Sequence, residues 1–90
     1  MREIVQRNNS FVIDEDGREV AELTFVVDGQ RMVIDHTYVS VELRGQNIAS
    51  QLVQRAADFA RENSYKVVPA CSYAHTWFRR HPDYADVWKK

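Results

Sequence analysis

This 90-residue chain contains only one cysteine, two prolines and three glycines. A single cysteine forms no internal disulfide, so the chain is not a disulfide-stapled secreted scaffold; the count fits a reducing compartment and points to a cytoplasmic location. So little Gly and Pro excludes collagen-like and low-complexity chains. Long apolar runs are missing too: none approaches the roughly 20 residues that cross a bilayer. The polar opening MREIVQRNNS is not a secretory signal, and no membrane partner is expected. An excess of charge of one sign is also lacking. Twelve Lys+Arg stand against 13 Asp+Glu, a net charge of −1, which excludes a protein whose main work is coating nucleic acid. What remains is 44% hydrophobic, 28% charged and 11% aromatic, an ordinary globular composition. The length allows one domain, residues 1–90, with a small core, since a chain this short buries only about 60–65% of its unfolded surface.

The residue pattern changes near Arg44. Before it the period is two. Phe11, Val12 and Ile13 form an apolar run ending in Asp14-Glu15-Asp16-Gly17, and Asp-Gly signals a hairpin because Gly accepts positive φ. Over residues 18–27, Ala21, Leu23, Phe25 and Val27 alternate with Glu22 and Thr24, the pattern of a half-buried strand. Asp28-Gly29 predicts a second tight turn. Residues 31–39 predict a third strand, with Met32, Ile34, His36 and Tyr38 on one face and Val33, Asp35, Thr37 and Val39 on the other. Three strands joined by two tight turns make an antiparallel meander.

From Gln46 the period becomes helical. Ile48, Ala49, Leu52, Val53, Ala56, Phe59 and Ala60 recur at steps of three and four, which predicts an amphipathic helix ended by Asn63-Ser64. Residues 65–68 predict a short strand, and Pro69, lacking a donor N–H, its end. Residues 73–80 predict a short helix interrupted at His81-Pro82, with Pro82 opening a last turn. The order β-β-β-α-β-α predicts a mixed α/β layer with helices packed on a sheet.

The chemistry centres on the segment between third strand and long helix. Arg44 and Gly45 stand just before the first turn, where helix N–H groups lack internal partners and carry the positive end of the dipole. Gly lets a ligand approach the backbone closely. The turn suits a phosphate or diphosphate, with Arg44 adding a formal charge; the plain alternative is a solvated loop. Cys71, the only thiol, reads by itself as a small buried hydrophobe, and His36 as a hydrogen-bonded structural histidine. Tyr73, Trp77 and Phe78 read as packing, and Arg79 and Arg80 as a solvated pair. Cys71, His75, His81 and His36 have no finger-like spacing, so no metal is expected. Ser72 lacks the Gly-x-Ser-x-Gly elbow of a serine hydrolase.

Arg44-Gly45-Gln46-Asn47-Ile48-Ala49 resembles the acetyl-CoA-binding segment of the GCN5-related N-acetyltransferases, Gln/Arg-x-x-Gly-x-Gly/Ala. Arg44 and Ala49 match its ends; Asn47 replaces the central Gly and also tolerates left-handed angles. Together with Asp35-His36-Thr37-Tyr38-Val39, Val68-Pro69-Ala70-Cys71-Ser72-Tyr73 and His81-Pro82-Asp83-Tyr84, in that order over about residues 11–84, it resembles the small single-domain branch of that family, the YjdJ-type and N-acetyltransferase domain-containing proteins.

That resemblance implies an α/β, trimmed acyl-CoA N-acyltransferase (GNAT-like) fold: a mixed sheet of about four strands, a central helix and a short C-terminal helix. It implies acetyl-CoA or coenzyme A as the bound cofactor, its diphosphate on Arg44, Gly45, Gln46, Asn47, Ile48 and Ala49. The thioester would enter a gap between the strands ending at Val39 and near Pro69. Thr37, Tyr38 and Val39 would offer backbone groups to the pantetheine amides, Tyr73 and Phe78 would line the pantetheine groove, and Arg79 and Arg80 would meet the 3′-phosphate. Cys71 and His36 are implied as the active-site pair, a thiol whose proton an imidazole takes. The acceptor would be an amine on a peptide, protein or small molecule, and the assembly a monomer or weak homodimer. A coenzyme A-binding module with little transferase activity, and an interaction domain that binds no nucleotide, are the other readings.

Overall fold

A computed structural model describes residues 3–89; Met1 and Arg2 of the polar opening, and Lys90, lie outside the described residues. Alternating apolar residues build the sheet. β1 (Val5–Arg7), β2 (Ser10–Glu15), β3 (Arg18–Asp28) and β4 (Arg31–Val39) pair antiparallel in sequence order, and β5 (Lys66–Pro69) adds parallel to β4. The parallel step needs a crossover, which α1 (Ile48–Glu62) supplies; α2 (Ser72–Arg80) follows β5, and a 3-10 helix, Pro82–Val87, follows α2. The sheet has five strands rather than about four. The extra one, β1, is three exposed residues that show no burial pattern and are ordered by pairing with β2. The β2–β3 turn carries positive φ at both Asp16 (53°) and Gly17 (77°), the geometry that matches strand twist in a two-residue hairpin.

The buried apolar residues of sheet and helices, Val12 of β2 excepted, form one cluster. The apolar stripe of α1, with Leu52, Val53, Ala56, Ala57 and Ala60 fully buried, lies on one sheet face. Its small residues let the helix come close, and Phe59 fills the wider space against the rings of Phe11 and Phe25 at 5.6 and 5.8 Å. α2 joins the same side: the buried Trp77 donates its indole N–H to Ser50 of α1 at 2.8 Å. Arg61, at the end of α1, pairs with Asp86 through both carboxylate oxygens, and Lys66 donates to the Asp86 carbonyl.

One irregularity changes the face assignment. Thr24 pairs with His36 but Phe25 pairs with Ile34, so Asp35 is an extra residue in β4. Such a bulge reverses the alternation beyond it. Met32 and Ile34 face the core as expected, but Thr37 and Val39 then continue that face, opposite Leu23 and Ala21. His36 and Tyr38 point to the outer face and are exposed. The expected face of Met32, Ile34, His36 and Tyr38 is therefore corrected at its second half. Asp35 does not serve His36; its carboxylate accepts from the Thr24 hydroxyl at 2.5 Å.

Candidate functional site

The chain leaves β4 through Ser40, whose N–H donates to the Val20 carbonyl at 2.8 Å, and makes one 3-10 turn, Val41–Leu43. Arg44 is extended, Gly45 has φ 87° and Asn47 φ 63°. These two positive-φ residues turn the chain sharply into the start of α1. Gly45 needs its lack of a side chain for that angle; Asn47 adopts it as a residue type that tolerates it. The Asn47 side chain makes no capping hydrogen bond, and the helix ladder begins with Gln51 N–H donating to the Asn47 carbonyl at 3.2 Å. The first-turn N–H groups, Ile48 to Ser50, thus lie upstream of the ladder, at the positive end of α1. Arg44 Nε donates to the Val39 carbonyl at 3.1 Å. This folds the guanidinium over the turn and leaves its two terminal nitrogens for a ligand. Glu42, beside it, is held below the usual carboxylate range by the Ser40 hydroxyl and its own backbone N–H, and by Arg18 at 2.7 Å. A cleft of about 350 Å3 opens here, lined by Val39, Leu43, Arg44, Gly45, Asn47, Ile48, Ala49 and Tyr73.

The other end of the site lies where β4 and β5 part. Their pairing ends at Ile34 and Pro69, while β4 runs on to Val39. Ala70 and Cys71 both donate their N–H to the Ile34 carbonyl, at 3.0 and 3.1 Å, which turns the chain off the sheet into α2. Cys71 is the N-cap of α2 and half-buried. Its Sγ lies 3.6 Å from Thr37 Oγ1. Tyr73, in the first turn of α2, forms a cleft wall. Burial pushes its hydroxyl above the usual phenol range, against the opposing pull of a hydrogen bond with Ser50, so it remains a protonated, polar edge to an apolar wall.

The structure brings together Arg44, Gly45, Asn47, Ile48, Ala49, Val39 and Tyr73 around one cleft. Gln46 stands exposed beside the turn, with its N–H donating to the Leu43 carbonyl at 3.3 Å. Two residues given roles by the resemblance lie away from the cleft lining. Phe78 is 1% exposed and packs in the core against Trp77 and Trp88, so it lines no groove. His36 is on the outer sheet face because of the Asp35 bulge, and the group at the Cys71 sulfur is the Thr37 hydroxyl. Arg79 and Arg80 are exposed in the last turn of α2. His81 stacks on Trp77 with centroids 3.9 Å apart, and His75 packs edge-on to Trp88. Among the described residues no three His, Cys, Asp or Glu side chains gather at a point.

Three contributors were not visible in the sequence. Leu43 closes the cleft floor from the 3-10 turn. Ser50 ties α2 to the first turn of α1; a hydroxyl in a helix's first turn was the available signal. Thr37, expected to contribute only its backbone, presents its side chain to Cys71 once the bulge has turned it inward.

A family model described as GCN5-related N-acetyl-transferase matches residues 10–87. A GCN5-like protein of Staphylococcus aureus, solved in solution by NMR, is 38% identical, with a TM-score of 0.80 over 97% of this chain and 87% of that one. The ribosomal-protein-S18-alanine N-acetyltransferase of Escherichia coli aligns with a TM-score of 0.64 at 15% identity, over 83% of this chain and 53% of its own. A GNAT family acetyltransferase of Brucella melitensis, solved in complex with acetyl-CoA, aligns at 0.59 and 18% identity, over 79% of this chain and 49% of its own. The last two likenesses are of fold, and the chain spans about half the length of each. The match over most of the chain, on an α/β fold with this strand order, places the protein in the GCN5-related N-acetyltransferase family.

Proposed function

We propose that this protein is a small N-acetyltransferase that binds acetyl-CoA in the cleft at the start of α1 and passes the acetyl group to an amine by way of Cys71. The observation that carries the reading is the uncapped first turn of α1, entered through Gly45 and Asn47 at positive φ and flanked by Arg44. Its N–H groups and dipole suit a diphosphate, and the guanidinium adds charge and a donor fork. From there the cleft runs past Val39 and Tyr73, mostly apolar walls that suit the alkyl chain of pantetheine. The Brucella melitensis relative, solved with acetyl-CoA, supports the same ligand class.

The chemistry at Cys71 is acyl transfer in two steps. The thiolate attacks the acetyl carbonyl carbon; the bond from that carbon to the coenzyme A sulfur breaks, and the released thiolate takes a proton. A neutral amine then attacks the acetylated sulfur's carbonyl carbon, the bond to Sγ breaks, and the amine's surplus proton passes to water. The test is mass spectrometry of the intact protein mixed with acetyl-CoA. One acetyl group gained in the wild type, none in Cys71→Ala, and loss of the group on adding an amine is the expected result. No gain at Cys71 would overturn the covalent route.

A second reading, a coenzyme A-binding module with little transferase activity, has its own support. On the outer sheet face Tyr38 and Val26 stand exposed, with no acceptor wall over them among the described residues. Under that reading Cys71 keeps its acetyl group whatever amine is supplied.

A further inference from the structure

We propose that Thr37 is the positioning residue for Cys71, its hydroxyl holding the sulfur at the parting of β4 and β5 and donating a hydrogen bond to it when it is ionised. The proposal deepens the acyl-transfer reading and rests on it for its purpose, but the contact is a property of the chain alone. Oγ1 and Sγ are 3.6 Å apart in a part-buried setting. A hydroxyl is both donor and acceptor, so the same pair accommodates the thiol, which donates, and the thiolate, which accepts. A group with only one of these abilities would oppose one state.

The placement is built rather than incidental. Both partners are fixed at the backbone: the Cys71 N–H on the Ile34 carbonyl, and Thr37 opposite Leu23 in the ladder. Thr37 is β-branched, which limits its χ1 freedom. What turns it toward the sulfur is the bulge at Asp35, tied on the outer face by the Thr24 hydroxyl. In an unbulged strand the residue continuing the face of Met32 and Ile34 would be His36. One extra residue thus sets a neutral hydroxyl against the thiol in place of an imidazole.

The experiment is the rate at which iodoacetamide alkylates Cys71 in the intact chain at fixed neutral pH, with no acetyl-CoA present. The thiolate attacks the methylene carbon, iodide leaves, and the thiol proton has gone to solvent. Losing a hydrogen bond to a charged sulfur is expected to slow Thr37→Val, which keeps the shape, about tenfold. Thr37→Ser, which keeps the hydroxyl, should stay within about twofold. Thr37→Ala supplies the same comparison should the valine variant unfold, and thermal melting checks that each variant is folded. Equal rates in all variants would overturn the proposal, as would a serine variant as slow as valine, which would assign the effect to packing. A slow His36→Gln with a fast Thr37→Val would also overturn it. Because no acetyl-CoA is used, these results stand apart from failure of the acyl-transfer reading, which would instead leave Cys71 without a mass gain.

Discussion

Arg44 offers the sharpest test of the diphosphate cradle. Its Nε is held by the Val39 carbonyl at 3.1 Å, so its charge is fixed over the turn while its terminal nitrogens remain available. A hydrogen bond to a charged group is worth about 1.5–3 kcal/mol in protected settings, but exposed ion pairs give only about 0.2–1 kcal/mol. Arg44 is exposed, so about 1 kcal/mol is the appropriate size. Arg44→Gln should then weaken coenzyme A about fivefold, since 1.4 kcal/mol is a factor of ten. Arg44→Glu adds a repulsion of similar size and should weaken it about 30-fold, or roughly 2 kcal/mol. Calorimetric titration with coenzyme A measures both values. Pantetheine, which lacks the phosphates, is the control: its affinity should be the same in wild type and variants. The gap between wild type and Arg44→Glu should also narrow as salt is raised, because the charges are solvent-exposed. An Arg44→Glu protein with wild-type coenzyme A affinity, or one that loses pantetheine equally, would refute the reasoning.

Two further outcomes follow from packing and charge. Phe11→Leu removes a ring that contacts Phe25 at 5.5 Å and Phe59 at 5.6 Å; two aromatic contacts at about 0.5–1.5 kcal/mol each predict a loss of about 1–3 kcal/mol. That corresponds to a fall in Tm of roughly 4–8 °C per kcal/mol in a domain of this size, read by circular dichroism; an unchanged Tm would show that the cluster is not cohesive. Asp86 is held below the usual carboxylate range, first by its hydrogen bond to Arg61. Its contribution is therefore present above the ordinary carboxylate pKa and is lost as pH falls through the lowered folded value. Asp86→Asn should melt slightly below wild type at neutral pH, and the two should converge in acid; a difference that persists or grows in acid contradicts the pairing.

How much of this was legible depends on the kind of pattern involved. α1 was readable because Ile48, Leu52, Val53, Ala56 and Ala60 repeat the helical period over four turns, so many residues vote for one answer. The turn before it was readable for a different reason: Arg44 and Gly45 differ in chemistry from the apolar residues around them. β1 was not, because Val5, Gln6 and Arg7 are all exposed and carry no alternation. The resemblance implies one groove for Tyr73 and Phe78, yet five residues in a helix turn through about 140°. When Tyr73 faces the cleft, Phe78 must face elsewhere, and its apolar ring goes to the core.

The face of β4 departs furthest from what its alternation predicts, and the cause is specific. An alternating strand is read by extrapolation, and one unpaired residue reverses every assignment after it. Met32 and Ile34 read correctly; His36, Thr37, Tyr38 and Val39 did not. No composition signal marks Asp35 as that residue, because an acidic side chain on a strand's outer face is unremarkable in itself. The bulge is legible only from the ladder, where Thr24 meets His36 and Phe25 meets Ile34. Its hydrogen bond from Thr24 lies on the face away from the cleft. The chemistry next to Cys71 is thus selected by register: a polar pair on the outer surface holds the extra residue, and the extra residue decides that a threonine, not a histidine, meets the sulfur.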